Sequence, residues 1–413
     1  MEYKEYELGE LIEYRNEKLL IENVSLENYI STENLLPNRN GKQNAEKLPN
    51  TKSVKKYYEN DILISNIRPY FKKIWQAEIP GGASNDVLIL NSCSNNTTND
   101  YLYYYLSQDK FFDYMTQTAK GTKMPRGDKK AILGYEIKVP NIKHIQNYIV
   151  NLGKNIDKKI ETNKKIIANL EELSQTLFKR WFVDFEFPDE NGNPYKSSGG
   201  EMVDSELGEI PKGWNVKNLD DIANYVNGLA MQKFKPTDNQ NSLPVVKIKE
   251  LKNGSTDENS NRCTSEIPDK ALINDGDIIF SWSATLLVKM WCGGKAGLNQ
   301  HLFKVSSDKY PKWFYYYWTK RYIDYFIGIA NDKATTMGHI NRKHLSHAKI
   351  LIPNDSTLEK FSRTFDDLLE KELSVSKESK RLIELRDTLL PKLMSGEIEI
   401  PDDIEVNEDE LSI

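Results

Sequence analysis

Two segments of this chain carry the side chains best suited to meeting a polyanion. Residues 120–130, KGTKMPRGDKK, hold Lys120, Lys123, Arg126, Lys129 and Lys130 beside Thr122. Residues 333–343, KATTMGHINRK, hold Lys333, His339, Arg342 and Lys343 beside Thr335 and Thr336. Lysine and arginine neutralise phosphates, while threonine, arginine and histidine reach base edges. A charge run by itself usually marks a solvated loop, but recurrence in both halves of the chain favours binding. Upstream of each lies an apolar strand pattern, DILIS at 61–65 and DIIFS at 277–281. Ser65, Arg68 and Tyr70 follow the first, and Ser281, Trp282 and Thr285 the second. They are placed to line the same face as the basic segments.

Catalytic constellations are not found. There is no GxxxxGK[ST] phosphate loop, [DN]PP[YF] motif, HExxH, GxSxG or glycine-rich dinucleotide fingerprint. His344 and His347 share a helical spacing, but no third ligand accompanies them, so no metal site is expected. Cys93, Cys263 and Cys292 are odd in number, far apart and in no CxxC spacing, which reads as reduced thiols.

What must position the two basic segments is a repeat. From Ile149 positions step by three and four, seven of the ten aliphatic: Ile149, Leu152, Ile156, Lys159, Asn163, Ile166, Leu170, Leu173, Leu177, Arg180. This is a coiled-coil seam with a polar middle on a helix from Ile145 to Phe182, roughly 55 Å long at ~1.5 Å per residue. Gly153 is its one weak residue. A second such stretch runs from Leu358 to Met394. A shift of 212 residues lays Leu170 on Leu382, Leu173 on Leu385 and Leu177 on Leu389. A long helix with one apolar stripe cannot bury it alone, so each helix is expected to supply the other's partner. The aromatic stretches 101–115 and 313–326 repeat at nearly the same offset, as do the two basic segments.

The expected fold class is therefore α+β: two globular α/β domains separated by two long antiparallel helices forming a coiled coil, as a pseudo-twofold tandem repeat. The boundaries expected are 1–140 for the first globule, 141–185 for the central helix and 186–213 for a linker and turn ending at SELGEIPKGW. The second globule spans 214–353, the distal helix 354–396 and an acidic tail 397–413. With the helices antiparallel, the two globules are expected in inverted orientations. Apolar residues off the seam, namely Ile160, Ile167, Phe178, Trp181, Phe182, Phe365, Leu369 and Ile383, are candidates for contact with partner proteins.

The net charge of −5 argues only weakly against nucleic acid, because the tail after Gly396 carries eight acids and no base. The remainder is slightly basic, and local patches decide more than the total. No run of eighteen apolar residues and no apolar leader is present, so neither a membrane span nor a signal peptide is expected.

SELGEIPKGW, LEELSQTLFKRWFVDFEFP, LIELRDTLLPKLMSGEI and the GTKMPRG and ATTMGHI loops together resemble the specificity subunit of type I restriction-modification enzymes, over essentially the whole chain. Ala334 replaces the glycine of the first loop, and the acidic tail has no counterpart. The resemblance implies a non-catalytic, cytoplasmic protein of a bacterium or archaeon. It would bind double-stranded DNA through two target-recognition domains and hold two methyltransferase (M) subunits. Restriction (R) subunits would complete the assembly. S-adenosylmethionine, ATP and Mg are then expected on partner subunits only, with no cofactor on this chain. Two divergent readers on a helical spacer would imply a bipartite, asymmetric site, with half-sites separated on the order of one turn of DNA (~34 Å). The alternatives are a coiled-coil adaptor without DNA readout and a stand-alone enzyme; the first leaves the duplicated basic loops unexplained, and the second lacks a catalytic constellation.

Overall fold

The structure, a computed structural model, describes residues 2–237, 241–332 and 338–401. The chain divides into two compact units, one of residues 1–160 with 382–413 and one of residues 161–381. Each unit therefore owns one globule and a stretch of both long helices. The unit limits cut through these helices.

In the first unit the apolar runs become adjacent antiparallel strands. Val87–Ser92 lies between Ile12–Tyr14 and Ile62–Ser65, and Ile74–Gln76 closes the other edge. Side chains alternate across a strand, so one strand can serve two cores. Ile62 and Ile64 face the main core, while Leu63 faces a smaller core with Tyr57 and Trp75; all three strand residues are fully buried. A second sheet runs in the order Lys18–Leu20, Ser53–Tyr57, Gly81–Ala83, Tyr29–Ile30, the last pair being parallel. Helices Asn99–Leu106 and Asp109–Gln117 cover the main core, the first capped by the Thr98 hydroxyl, which accepts from the Tyr101 N–H.

The second unit repeats the main sheet strand for strand: Asn224–Asn227, Leu302–Ser306, Ile278–Ser281, Leu287–Met290. Ile278 and Phe280 again face one core and Ile279 another. Asp61 and Asp277 open the repeated strands in the same way, each accepting the N–H three residues back (Tyr58 and Asn274, both 2.8 Å). The smaller sheet diverges. Ala296–Leu298 keeps one parallel and one antiparallel neighbour, as Gly81–Ala83 does. Its extra strand, Arg262–Thr264, joins beyond the parallel partner rather than the antiparallel one. The residues leading into this unit are clamped by rings: Trp214 stacks on Phe187 at 5.3 Å and lies 5.7 Å from Phe182.

The long helices span Lys143–Phe182 and Asp355–Ser395. Within the first unit, Ile156 and Ile160 pack with Leu382, and Arg386 Nη1 donates to Asp157 Oδ1 at 2.7 Å. Within the second, Asn163 Nδ2 donates to Glu378 at 2.9 Å and Trp181 lies 4.6 Å from Phe361. In each unit, earlier residues of one helix thus meet later residues of the other, so the pairing is antiparallel. The fold class expected from sequence is the one observed.

The buried stripe of the first helix coincides with the seam read from the sequence at Ile149, Ile156 and Asn163 and otherwise departs from it. It runs Ile149, Gly153, Ile156, Ile160, Asn163, Ser174, Phe178, Phe182, whereas Leu173 is 47% exposed. The second helix buries Phe361, Phe365, Leu369, Glu372, Val375, Leu382 and Leu390, and leaves Leu385 44% exposed. A three-four spacing has two nearly equivalent phases, and small residues (Gly153, Ser174) disguised part of the correct one. Five of the residues expected to face partner proteins are consequently interior: Ile160, Phe178, Phe182, Phe365 and Leu369 are at most 5% exposed. Ile167 and Trp181 are half-buried, the latter against Phe361 and Phe365, and only Ile383 is exposed.

Gly153 is a packing requirement rather than a weak point. A Cβ there would lie 2.7 Å from the Tyr104 ring. Gly153→Ala, favourable by about 0.5–1 kcal/mol for an isolated helix, is expected to destabilise the protein by about 1–3 kcal/mol through that clash. Thermal unfolding of the variant checks the sign.

Candidate nucleic-acid interface

The central strand Ile62–Ser65 delivers the chain to the edge of the main core, where Ser65 Oγ donates to the Ile67 carbonyl at 3.1 Å. Residues 66–68 then pair with the basic loop. Arg68 N–H donates to the Pro125 carbonyl at 2.8 Å, and Gly127 N–H to the Asn66 carbonyl at 3.1 Å. The loop itself is pinched by reciprocal bonds between Lys120 and Arg126 (2.8 and 2.9 Å). Thr122, Lys123 and Met124 are thereby exposed at a short hairpin tip, which Gly121 turns at φ +92°. Arg68 is exposed and held in the left-handed region at φ 50°, and Tyr70 and Phe71 follow it as an exposed ring pair 4.8 Å apart. A non-glycine residue held there marks a loop whose shape is imposed by its surroundings.

The second unit builds the same junction. Ser281 Oγ donates to the Ser283 carbonyl at 3.3 Å. Ala284 N–H donates to the Gly338 carbonyl at 3.0 Å, and Ile340 N–H to the Trp282 carbonyl at 3.1 Å. Ala284, like Arg68, is left-handed at φ 56°. The bridged pairs Ile67–Arg126 and Ser283–His339 occupy the same place in each unit. Lys333, Thr335 and Thr336 lie outside the described residues.

The cations differ in how free they are. Lys123 is exposed at the tip, and Lys130 is exposed on the helix Lys129–Leu133. Lys120 pairs with Asp128 at 2.5 Å and holds that carboxyl below its usual range. Arg126 lies 3.3 Å from Asp86 yet is 57% exposed. Lys129 sits over the Tyr14 ring at 5.8 Å. Beneath them Lys55 is buried, donating to the carbonyls of Asn85 (3.0 Å) and Val87 (2.7 Å). Burial, then the neighbouring charge of Lys129, lowers its pKa to about 8. In the second unit, His339 is exposed with its ring 6.4 Å from that of half-buried Trp282, and Lys343 is exposed. Ser281 is fully buried, so its part is to shape the turn. Arg342 Nη2 donates to the Tyr225 carbonyl at 3.0 Å, which ties this guanidinium to the scaffold.

Sequence reasoning missed Asn66, Phe71, Met124 and Asp86. The first has a traceable signal: it stands one residue past DILIS, as Trp282 does past DIIFS, and Asn66 Oδ1 and Trp282 Nε1 are both buried without a partner. Among the described residues, no group of three or more metal-ligating side chains converges.

Two stretches, residues 1–172 and 211–385, match the sequence model of the type I restriction modification DNA specificity domain. The chain belongs to that family. One stretch falls in each half of the repeat, so this specificity chain carries the domain twice. It is 29% identical to the type I restriction enzyme MjaIX specificity subunit of Methanocaldococcus jannaschii, over 73% of this chain and 69% of that protein. It is 24% identical to the HindI specificity subunit of Haemophilus influenzae, over 96% of this chain and all of that one. The crystal structure of a type I restriction-modification S subunit from M. genitalium superposes with a TM-score of 0.54 at 15% identity, covering 97% of both chains. At that identity the likeness speaks for the fold alone. The family expected from SELGEIPKGW and the repeated loops is thus the family found, and the chain is a DNA-recognition subunit of such a system.

Proposed function

We propose that this specificity chain reads a bipartite, asymmetric sequence in double-stranded DNA, one half through each unit, and has no catalytic activity of its own. The observation that carries this is the junction built twice: a left-handed residue after the central strand, hydrogen-bonded to the basic loop, in both units. Identical scaffolding with different side chains (Arg68, Tyr70, Lys123 and Arg126 against Trp282, His339 and Lys343) is what two half-sites of different sequence call for. Lys120, Thr122, Lys129, Lys130, Lys333, Thr335 and Thr336 complete the proposed contacts, while Ser281 and Arg342 hold the second loop in place.

Two modification subunits, carrying S-adenosylmethionine, would dock on the helical stalk. Restriction subunits using ATP and Mg would join them in the cytoplasm. No helix among the described residues is long and apolar enough to cross a membrane. For the docking surface, exposed Leu173 and Leu385 replace most of the residues expected from sequence. They stand 212 residues apart, at the same repeat position, which suits two copies of one partner.

Mapping methylated adenines in cells that express the chain with its modification subunit is expected to return one interrupted, asymmetric motif. A continuous motif, or methylation unchanged when the chain is deleted, overturns the reading.

A further inference from the structure

The duplication lets one unit serve as a ruler for the other. The main strands pair in the same register: Ser65 opposes Val87, and Ser281 opposes Leu302. The turn that enters the second strand of each pair therefore sets Ser84, Asn85 and Asp86 against Asn299, Gln300 and His301. Its bonds match as well. The N–H groups of Ser84 and Asn299 donate to the carbonyls of Ile30 (2.8 Å) and Val246 (3.0 Å). Their own carbonyls accept from the N–H groups of Val87 (3.2 Å) and Leu302 (3.1 Å). A further group fixes the turn in each unit. Buried Lys55 donates to the Asn85 and Val87 carbonyls, and Asn299 Oδ1 accepts from the His301 N–H at 3.3 Å.

On so constant a frame the side chains carry the difference. Asp86 reaches across to the basic loop: its carboxylate lies 3.3 Å from Arg126 Nη2, with both groups partly exposed. The bridges Ile67–Arg126 and Ser283–His339 give Arg126 and His339 the same place in the two units. His301 thus stands where Asp86 stands, and His339 where Arg126 stands. Both imidazoles flank Trp282, with ring centroids 5.8 and 6.4 Å from its own. Gln300 Nε2 lies 3.4 Å from His301 Nε2, and both residues are exposed. An ion pair in one unit is replaced by an amide and aromatic cluster in the other. Phosphates repel a carboxylate, so contact with the DNA backbone gives no reason for Asp86 beside the loop. Holding a guanidinium fork in one orientation does.

We propose that this turn is a third reading element of each unit, beside the strand exit and the basic loop, and that it sets base preference. In the first unit Asp86 is a positioning residue. It holds the Arg126 fork for a guanine, whose N7 and O6 accept a guanidinium pairwise. In the second unit Gln300 is the specificity-determining residue. With one amide N–H turned to His301, its oxygen and its other N–H match the N6 amino group and N7 of an adenine. The proposal rests on the reading of one half-site by each unit and adds which residues choose the bases.

The test uses the full-length chain and duplexes in which each base pair of the target is varied in turn, with affinities from fluorescence anisotropy at fixed salt. Asp86→Ala should lower discrimination at one guanine of the first half-site about tenfold and leave the second half-site as it was. An acid acting only through its charge predicts something else: tighter binding of every sequence, with discrimination unchanged. Asp86→Asn keeps an acceptor for Arg126 and should keep most of the discrimination. Gln300→Ala should cost about tenfold at one adenine of the second half-site and nothing in the first. Both side chains reach solvent, so unfolding temperatures should match that of the unsubstituted chain. Unchanged discrimination in either alanine variant, or a loss spread equally over both half-sites, overturns the proposal. An unsubstituted chain that discriminates at neither half-site overturns the half-site reading itself, and the proposal with it.

Discussion

Glutamate at positions 123 and 126 is expected to weaken binding of the duplex target by about a hundredfold or more. Each lost base or phosphate contact costs about 1–3 kcal/mol, and reversed charges add repulsion. Both side chains stand on the pinched hairpin, Lys123 at its tip and Arg126 at its base, 57% exposed. The Arg126–Asp86 pair is too solvated to matter for folding, so the unfolding temperature should not change. The loss should fall on one half-site: base preference there relaxes, while the other half keeps its own. Lys343→Glu with His339→Ala is the mirror experiment; Arg342 is left alone because it holds the Tyr225 carbonyl. Fluorescence anisotropy at fixed salt, with each half-site randomised in turn, separates the two outcomes. If either pair of substitutions degrades both half-sites equally, the division of labour between the units is wrong.

Glu372→Gln is expected to stabilise the protein at pH 8 and to do little at pH 4.5. Glu372 is 6% exposed on the second long helix. Burial, then the charge of Glu171 on the first helix, raises its pKa to about 7, against the smaller opposing effect of Lys320. Lys320 reaches Glu171 at 3.7 Å. The folded state therefore binds a proton that the unfolded state has released between pH 4.5 and 7. Stability falls as pH rises through that window and stays low above it. At about 1.4 kcal/mol per pH unit, the glutamate costs up to about 3 kcal/mol at pH 8, which glutamine should recover. Denaturation of both proteins at pH 5 and pH 8 measures it. A difference that does not change with pH would sink the idea.

The burial of Glu372 also bears on how the helices were read. Sequence periodicity placed both helices and their polar middle, because an apolar stripe every three or four residues needs only local geometry. It gave the phase at Ile149, Ile156 and Asn163 and lost it towards Leu173. Leu173 and Leu385 looked like seam and are exposed, while Ile160, Phe178 and Phe365 looked like surface and are buried. Periodicity weighs a side chain by hydrophobicity. Burial is also decided by what lies opposite, and Gly153 and Ser174 face neighbours invisible along the chain.

The basic loops were legible for a different reason. A motif repeated at a fixed offset within one chain is its own control, so KGTKMPRGDKK and KATTMGHINRK could be paired without structure. Which of their cations are free was not legible. Lys120 and Arg342 are engaged by Asp128 and the Tyr225 carbonyl, partners set by the folded backbone.

By itself, the sequence determined that this protein is a duplicated α+β chain with paired helices and two related basic loops, since composition, period and offset are properties of the string. Tertiary structure alone decided how far each helix buries the expected face, and that Arg68 and Ala284 are bent left-handed to meet those loops. These depend on volume and hydrogen-bond partners brought together from distant positions, and such contacts leave no local trace in the order of residues.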